Sequence, residues 1–94
     1  MKYQDRFAKA LKKARKAKGL TQEDFSTLSS RTYVSTLERG MKSPTLSKIN
    51  ELAEILNIHP LTLLLLAYTP SADPARVETL LRQIEREYLT IISR

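Results

Sequence analysis

The chain has 94 residues, which is enough for one domain with a short appendage. It contains no cysteine, which excludes disulfides and thiolate metal sites. The net charge is +6, with 11 Lys/Arg against 4 Asp/Glu in residues 1–42 and 5 against 6 in residues 43–94. Because all of the excess positive charge lies in the N-terminal half, that half is a candidate face for a polyanion.

The first predicted helix covers residues 4–18. Phe7, Leu11 and Ala14 recur at i, i+4 and i+7, which predicts one buried face. Gly19 suits the position just after a helix. Lysines on the opposite face are typical of a solvated surface, and a phosphate-binding stripe is the alternative.

The second predicted helix covers residues 21–28. Thr21, with Asp24 three residues later, is a variant of the capping box that begins helices. Phe25 and Leu28 are predicted to point inward.

The third predicted helix covers residues 31–39 and ends at Gly40. Helical spacing turns Val34 and Leu37 inward and leaves a short polar stripe outward, made of Thr32, Ser35, Thr36 and Arg39. Hydroxyl groups on such a stripe reach base edges or phosphates, and Arg31 could bind guanine through two hydrogen bonds. An ordinary amphipathic surface helix is the alternative.

Three further helices are predicted. The fourth runs from Pro44–Thr45 to Leu56, with a buried stripe of Leu46, Ile49, Leu52, Ala53 and Leu56. Asn57 is expected to adopt a left-handed conformation at its end. The fifth runs from Pro60 to Ala67. A linker rich in Pro, Ser and Thr precedes the last helix, residues 74–93, which carries a heptad seam of Val77, Leu81, Ile84, Tyr88 and Ile91.

Three stretches together, Gly19 to Phe25, Arg31 to Gly40 and Pro44 to Leu46, resemble the XRE family, the Cro and phage-repressor type of helix-turn-helix. The run Arg-Thr-Tyr-x-Ser-x-x-Glu-Arg-Gly is similar to that of compact controller proteins of restriction–modification systems. The resemblance implies an all-α fold, a five-helix lambda-repressor-like DNA-binding domain over residues 1–69. Residues 70–94 would add a linker and a C-terminal dimerisation helix.

The resemblance also implies roles for individual residues. The expected base-reading residues are Arg31, Thr32, Ser35 and Thr36. The expected phosphate-binding residues are Gln22, Tyr33, Arg39 and Lys42. Arg15 and Glu38 would form a structural ion pair between the first and third helices. For Tyr33, a half-buried packing role is the alternative.

The sequence departs from the family at one place. The family usually has about two more residues between the positions of Phe25 and Val34. Either the second helix loses its last half-turn or the turn is tighter. The departure bears on the angle between the two helices and on the reach of Arg31.

A dense leucine cluster in the fifth helix predicts an interface, because a short helix cannot bury all its faces in its own domain. The expected homodimer contacts are Leu61, Leu64, Leu65 and Tyr68, joined by the heptad seam of the last helix. In the alternative, the last helix folds back and caps its own domain.

The leading hypothesis is a cytoplasmic transcription regulator, a repressor or an activator, that binds a pseudo-palindromic operator in double-stranded DNA as a homodimer. Residues 31–39 would be its recognition helix. An antitoxin-type interaction module with a toxin partner is the alternative, and acidic Glu23 and Asp24 could meet RNA polymerase. No enzyme motif is present, with His59 the single histidine, and no metal or cofactor is expected. No membrane association is expected, since the apolar run Leu61–Tyr68 is too short to span a bilayer.

Overall fold

A computed structural model describes residues 3–27, 31–71 and 73–94, with the backbone alone at Arg31. The α-helices are α1 (Tyr3–Ala17), α2 (Arg31–Glu38), α3 (Leu46–Leu56), α4 (Pro60–Tyr68) and α5 (Pro74–Ile92). A 3-10 helix, Gln22–Phe25, lies between α1 and α2. These ranges contain no strand, and the all-α fold class predicted from the sequence is confirmed.

The helices end where residues with positive φ were predicted. Gly19 has φ of +69°, and the next amide, that of Leu20, donates to the carbonyl of Arg15 at 3.0 Å. Asn57 has φ of +57°, and the amide of Ile58 donates to the carbonyl of Ala53 at 3.0 Å. Both are Schellman endings, which satisfy carbonyls that the helix leaves unpaired.

The later helices begin at side chains that accept from backbone amides. Thr45 Oγ1 accepts from the amide of Lys48 at 3.2 Å, before the first turn of α3. His59 Nδ1 accepts from the amide of Leu61 at 3.0 Å, which makes the single histidine the cap of α4. Asp73 Oδ1 caps α5 in the same way. These contacts satisfy amides that a helix start leaves unpaired.

The prediction of a second α-helix over residues 21–28 is wrong. One 3-10 turn forms instead, and it begins where the amide of Thr21 donates to Asp24 Oδ2 at 2.7 Å. Because the spacing from Phe25 to Val34 is short, the chain must leave this helix early to begin α2. The described part of this stretch contains a shortened second helix, while the turn considered as the other explanation lies partly outside the described residues. Leu28 lies outside the described residues.

The core lies between α1, α2, α3, α4 and the 3-10 helix. Its fully buried side chains are Leu11, Phe25, Val34, Leu37, Leu52, Leu56 and Leu63. Among the described residues, no polar residue is buried. The prediction that Leu46 is buried is wrong, because this side chain is 73% exposed. Leu46 is the first residue of α3 and lies about one turn before Ile49, the first residue of α3 in the core. Its side chain therefore lies beyond the edge of the core.

Helix α5 extends from this core and buries none of its side chains. The radius of gyration is 14.3 Å, against about 12 Å for a compact chain of this length. Within α5 only Val77 and Leu80 are half-buried, and whether the helix pairs with a second copy or caps its own domain stays a prediction. No single helix in the described ranges is long and apolar enough to cross a membrane. Taken together, α3 and α4 have the length and composition for a crossing, but their axes are bent by 104°.

Candidate nucleic-acid interface

Glu38, the last residue of α2, accepts three hydrogen bonds from two other elements. Arg15 of α1 donates from Nε to Oε2 at 2.7 Å and from Nη2 to Oε1 at 3.0 Å. Gln22 of the 3-10 helix donates from Nε2 to Oε1 at 3.1 Å. The carboxylate thus joins α2 and the 3-10 helix to α1.

The Arg15–Glu38 ion pair is largely shielded from water, with side chains 11% and 4% exposed. The hydrogen bond to Glu38 raises the pKa of Arg15 above its ordinary value, and the carboxylate charge adds to this against the opposing effect of burial. Arg15 also donates from Nη1 to the carbonyl of Leu20 at 2.9 Å. A shielded, bidentate and charge-assisted pair of this kind fixes the orientation of α2 on α1.

Gln22 lies at the start of the 3-10 helix, where a phosphate contact was expected. One of its two amide hydrogens points to Glu38. An amide nitrogen carries two hydrogens, so one remains for another acceptor. The contact to Glu38 therefore holds Gln22 in place without using up its donors.

The outward face of α2 carries the expected base-reading residues. Thr32 is exposed, while Ser35 and Thr36 are half-buried. Thr36 Oγ1 donates to the carbonyl of Thr32 at 2.7 Å, so in this rotamer the hydroxyl offers only lone pairs to a ligand. Arg31 begins α2, and its side chain lies outside the described residues.

Tyr33 is half-buried and its ring packs against the core, while the phosphate contact expected of its hydroxyl stays a prediction. Lys48 of α3 places Nζ 5.8 Å from the centre of the Tyr33 ring. Burial raises the pKa of Tyr33, the positive charge of Lys48 lowers it, and the negative charge of Glu51 raises it. The phenol therefore stays protonated and able to donate. The contact of Lys48 with Tyr33 was not predicted, because no periodicity in the sequence links the two residues.

The segment after α2 turns sharply at Gly40, which has φ of +71°. The amide of Gly40 donates to the carbonyl of Leu37, and that of Met41 to the carbonyl of Thr36, at 3.0 and 3.1 Å. A side chain at Gly40 would place its Cβ 2.6 Å from Asp5 Oδ1. The backbone conformation therefore favours glycine here, and the Asp5 carboxylate would have to move to admit a side chain.

The two cations expected to bind phosphates, Arg39 and Lys42, flank this turn and are exposed. Arg39 donates weakly from Nε to the carbonyl of Ser35, at 3.4 Å. The arrangement places a short polar helix between the start of the 3-10 helix and a cationic turn. No group of three His, Asp or Glu residues within the described ranges could hold a metal ion.

Comparison with known proteins agrees with this geometry. A helix-turn-helix family model matches residues 11–63. A protein of Sinorhizobium fredii named "Uncharacterized HTH-type transcriptional regulator y4dJ" is 46% identical over 46 residues, which are 47% of this chain and 60% of that protein. No solved structure matches. Since the family model covers more than half of the sequence, the chain belongs to the XRE-type helix-turn-helix family.

Proposed function

We propose that this protein is a sequence-specific regulator of transcription that inserts α2 into the major groove of double-stranded DNA. The observation that carries the proposal is the division of α2 into two faces. Val34 and Leu37 are fully buried, while the opposite face presents hydroxyl groups. A recognition helix requires both a face that packs and a face that reads bases.

The roles of the surface residues follow from their chemistry and position. Base reading is assigned to Thr32, Ser35 and Thr36, with Arg31 as a further reader expected from the family resemblance. Phosphate binding is assigned to Gln22, Tyr33, Arg39 and Lys42. Affinity would depend mainly on the phosphate contacts and would fall steeply with salt, whereas sequence preference would depend on α2.

We further propose that the protein binds DNA as a homodimer, with residues 1–69 contacting DNA and residues 70–94 pairing. The support is the large apolar surface that one chain leaves exposed. It comprises Leu61, Tyr68, Leu81, Ile84, Tyr88 and Ile91, each between 48% and 70% exposed. Leu89 and Ile92, which the heptad seam does not include, widen this apolar surface.

Apolar side chains of α4 and α5 also face each other across an open groove, lined by residues that include Leu61, Leu65 and Leu81. A second copy of α4 and α5 would cover this groove and the exposed seam together. Contiguous apolar surface of this extent marks an interface in proteins of this size. A two-fold pair would present two α2 helices to a pseudo-palindromic site.

Selection from a pool of random DNA duplexes tests the function. We expect enrichment of two inverted half-sites about one helical turn apart. Failure to enrich any sequence, while the protein stays folded, would reject sequence-specific binding. A single half-site without its inverted copy would reject the dimeric mode.

The exposed apolar surface of α5 also supports a second candidate, an antitoxin-type protein that binds a toxin. A homodimer and a toxin complex would compete for the same residues. Purification of the protein from its own cells decides between them, because a stoichiometric second chain would favour the antitoxin and a two-copy species would favour the regulator acting in the cytoplasm.

A further inference from the structure

The loop between α2 and α3 carries Lys42, one of the residues proposed to bind a phosphate. Met41, Lys42 and Ser43 are all exposed. Within the described part of the chain, the amides of Lys42 and Ser43 make no backbone hydrogen bond. Binding a phosphate through a loose loop costs affinity, because the loop loses conformational freedom when it binds.

Gln4, in the first turn of α1, contacts two residues of this loop, Gly40 and Ser43. Its Nε2 donates to the carbonyl of Gly40 at 2.6 Å. Its Oε1 accepts weakly from the hydroxyl of Ser43, at 3.4 Å. The two contacts span 36 and 39 residues of sequence, and between them they enclose Lys42.

Asp5, the neighbour of Gln4, closes the same junction from the side. Its Oδ1 occupies the space where a side chain at Gly40 would begin. The first turn of α1 therefore contacts the turn after α2 through a hydrogen-bonded amide and a packed carboxylate. The periodicity of the sequence predicts neither the contact of Gln4 nor that of Asp5 with Gly40.

We infer that Gln4 is a positioning residue for DNA binding, which holds the 40–43 loop in one conformation and so presents Lys42 to the DNA backbone. The inference rests on the proposed function, since it assumes that Lys42 binds a phosphate. Gln4 contacts no DNA in this account. It restricts the conformations of the loop in the free protein, so the loop loses less conformational entropy when DNA binds.

A double-mutant cycle on the full chain tests the inference, with dissociation constants measured on the selected duplex. Gln4→Met keeps the length of the side chain and removes both hydrogen bonds. We expect Gln4→Met and Lys42→Ala each to weaken binding about three- to tenfold, the range for one net hydrogen bond or phosphate contact. The double variant should bind only slightly more weakly than Lys42→Ala, because Gln4 acts through Lys42.

The salt dependence supplies a readout that loss of fold stability alone would not change. Gln4→Met should lower the slope of log K against log salt by up to about 1, as expected when one phosphate contact is lost. The matched control is Gln83→Met on α5, where the amide donates to Glu87 on an exposed face. This variant should leave the affinity and the slope unchanged.

The outcomes distinguish a failure of the role inferred for Gln4 from a failure of the proposed DNA-binding function. Independent, multiplying effects of Gln4→Met and Lys42→Ala would overturn the inference while leaving DNA binding intact. No effect of Lys42→Ala would overturn it as well. Absence of DNA binding by the wild-type protein would instead reject the proposed function. Should Gln4→Met fail to fold, Ser43→Ala, which removes one hydrogen bond on an exposed residue, replaces it in the same cycle.

Discussion

Arg15 Nε lies 2.7 Å from Glu38 Oε2, across an ion pair that joins α1 to the end of α2. The pair lies behind the proposed reading face, and Gln22 donates to the same carboxylate. The position of α2 therefore depends on a polar contact as well as on the buried residues Val34 and Leu37. Predictions about stability and about binding both follow from this arrangement.

Removing one partner of the pair should destabilise the fold strongly. Arg15→Met leaves the Glu38 carboxylate with only Gln22 as a donor, and we expect a loss of about 1–3 kcal/mol in the free energy of unfolding. The double variant Arg15→Met/Glu38→Met should lose much less than the sum of the two single variants, because no charge is left unpaired. Urea unfolding measures both, and additive losses would contradict the account.

The two glycines should differ in their tolerance of alanine. Gly19 and Gly40 have nearly equal φ, +69° and +71°, so the backbone strain of alanine should be similar, about 1–2 kcal/mol. Only at Gly40 does the new Cβ meet another atom, Asp5 Oδ1. Thermal unfolding should therefore show the larger loss for Gly40→Ala, and Asp5→Ala should recover part of it. Equal losses at the two glycines would show that the carboxylate moves aside freely.

Tyr33 should ionise above its ordinary pKa of 10.0. Because folding raises the pKa of this acid, its contribution to stability is intact below pH 10 and is lost as the pH rises through the folded pKa. The difference in tyrosine absorbance between wild type and Tyr33→Phe isolates its titration. Lys48→Met should move that titration upward, and Glu51→Gln should move it downward. A shift of opposite sign in either variant would show that these charges do not act on the ring as the structure indicates.

A charge on the α5 seam should separate the proposed homodimer. Ile84 and Tyr88 are 48% and 61% exposed, so Ile84→Lys/Tyr88→Lys should leave each chain folded. Analytical ultracentrifugation should then detect monomers, and operator affinity should fall. Thr90→Lys adds a charge to α5 outside the seam and should leave the dimer intact. A dimer that persists in the double variant would remove α5 from the interface.

Helices α1 to α5 could be predicted from the sequence because the periodicity of their apolar residues agrees with the residues at their ends. Gly19, Asn57 and Pro60 mark boundaries that the structure places within one or two residues of the prediction. The type of the second helix could not be predicted, because Thr21 and Phe25 are compatible with either a turn of α-helix or a turn of 3-10 helix. That choice depends on how soon the chain must enter α2.

Some contacts of the candidate interface could be predicted from the sequence and others could not, because they join residues far apart in the chain. The partnership of Arg15 and Glu38 could be proposed from the family resemblance. The contact of Gln4 with Gly40 joins polar groups 36 residues apart, and neither helical period nor composition points to it. Leu46 shows the same limit, since its spacing fits the buried stripe while its position at the helix start exposes it.

The most direct test of the central claim, that α2 reads base sequence, is a binding profile across single base-pair changes in the selected operator. Ser35→Ala should flatten the preference at one base pair of each half-site, by about 1–3 kcal/mol, while leaving the others unchanged. Lys42→Ala should weaken binding equally at all positions, and Thr79→Ala on α5 should change nothing. If Ser35→Ala leaves the profile unaltered, or weakens every duplex equally, Ser35 does not read bases and the assignment of α2 as the reading helix is contradicted.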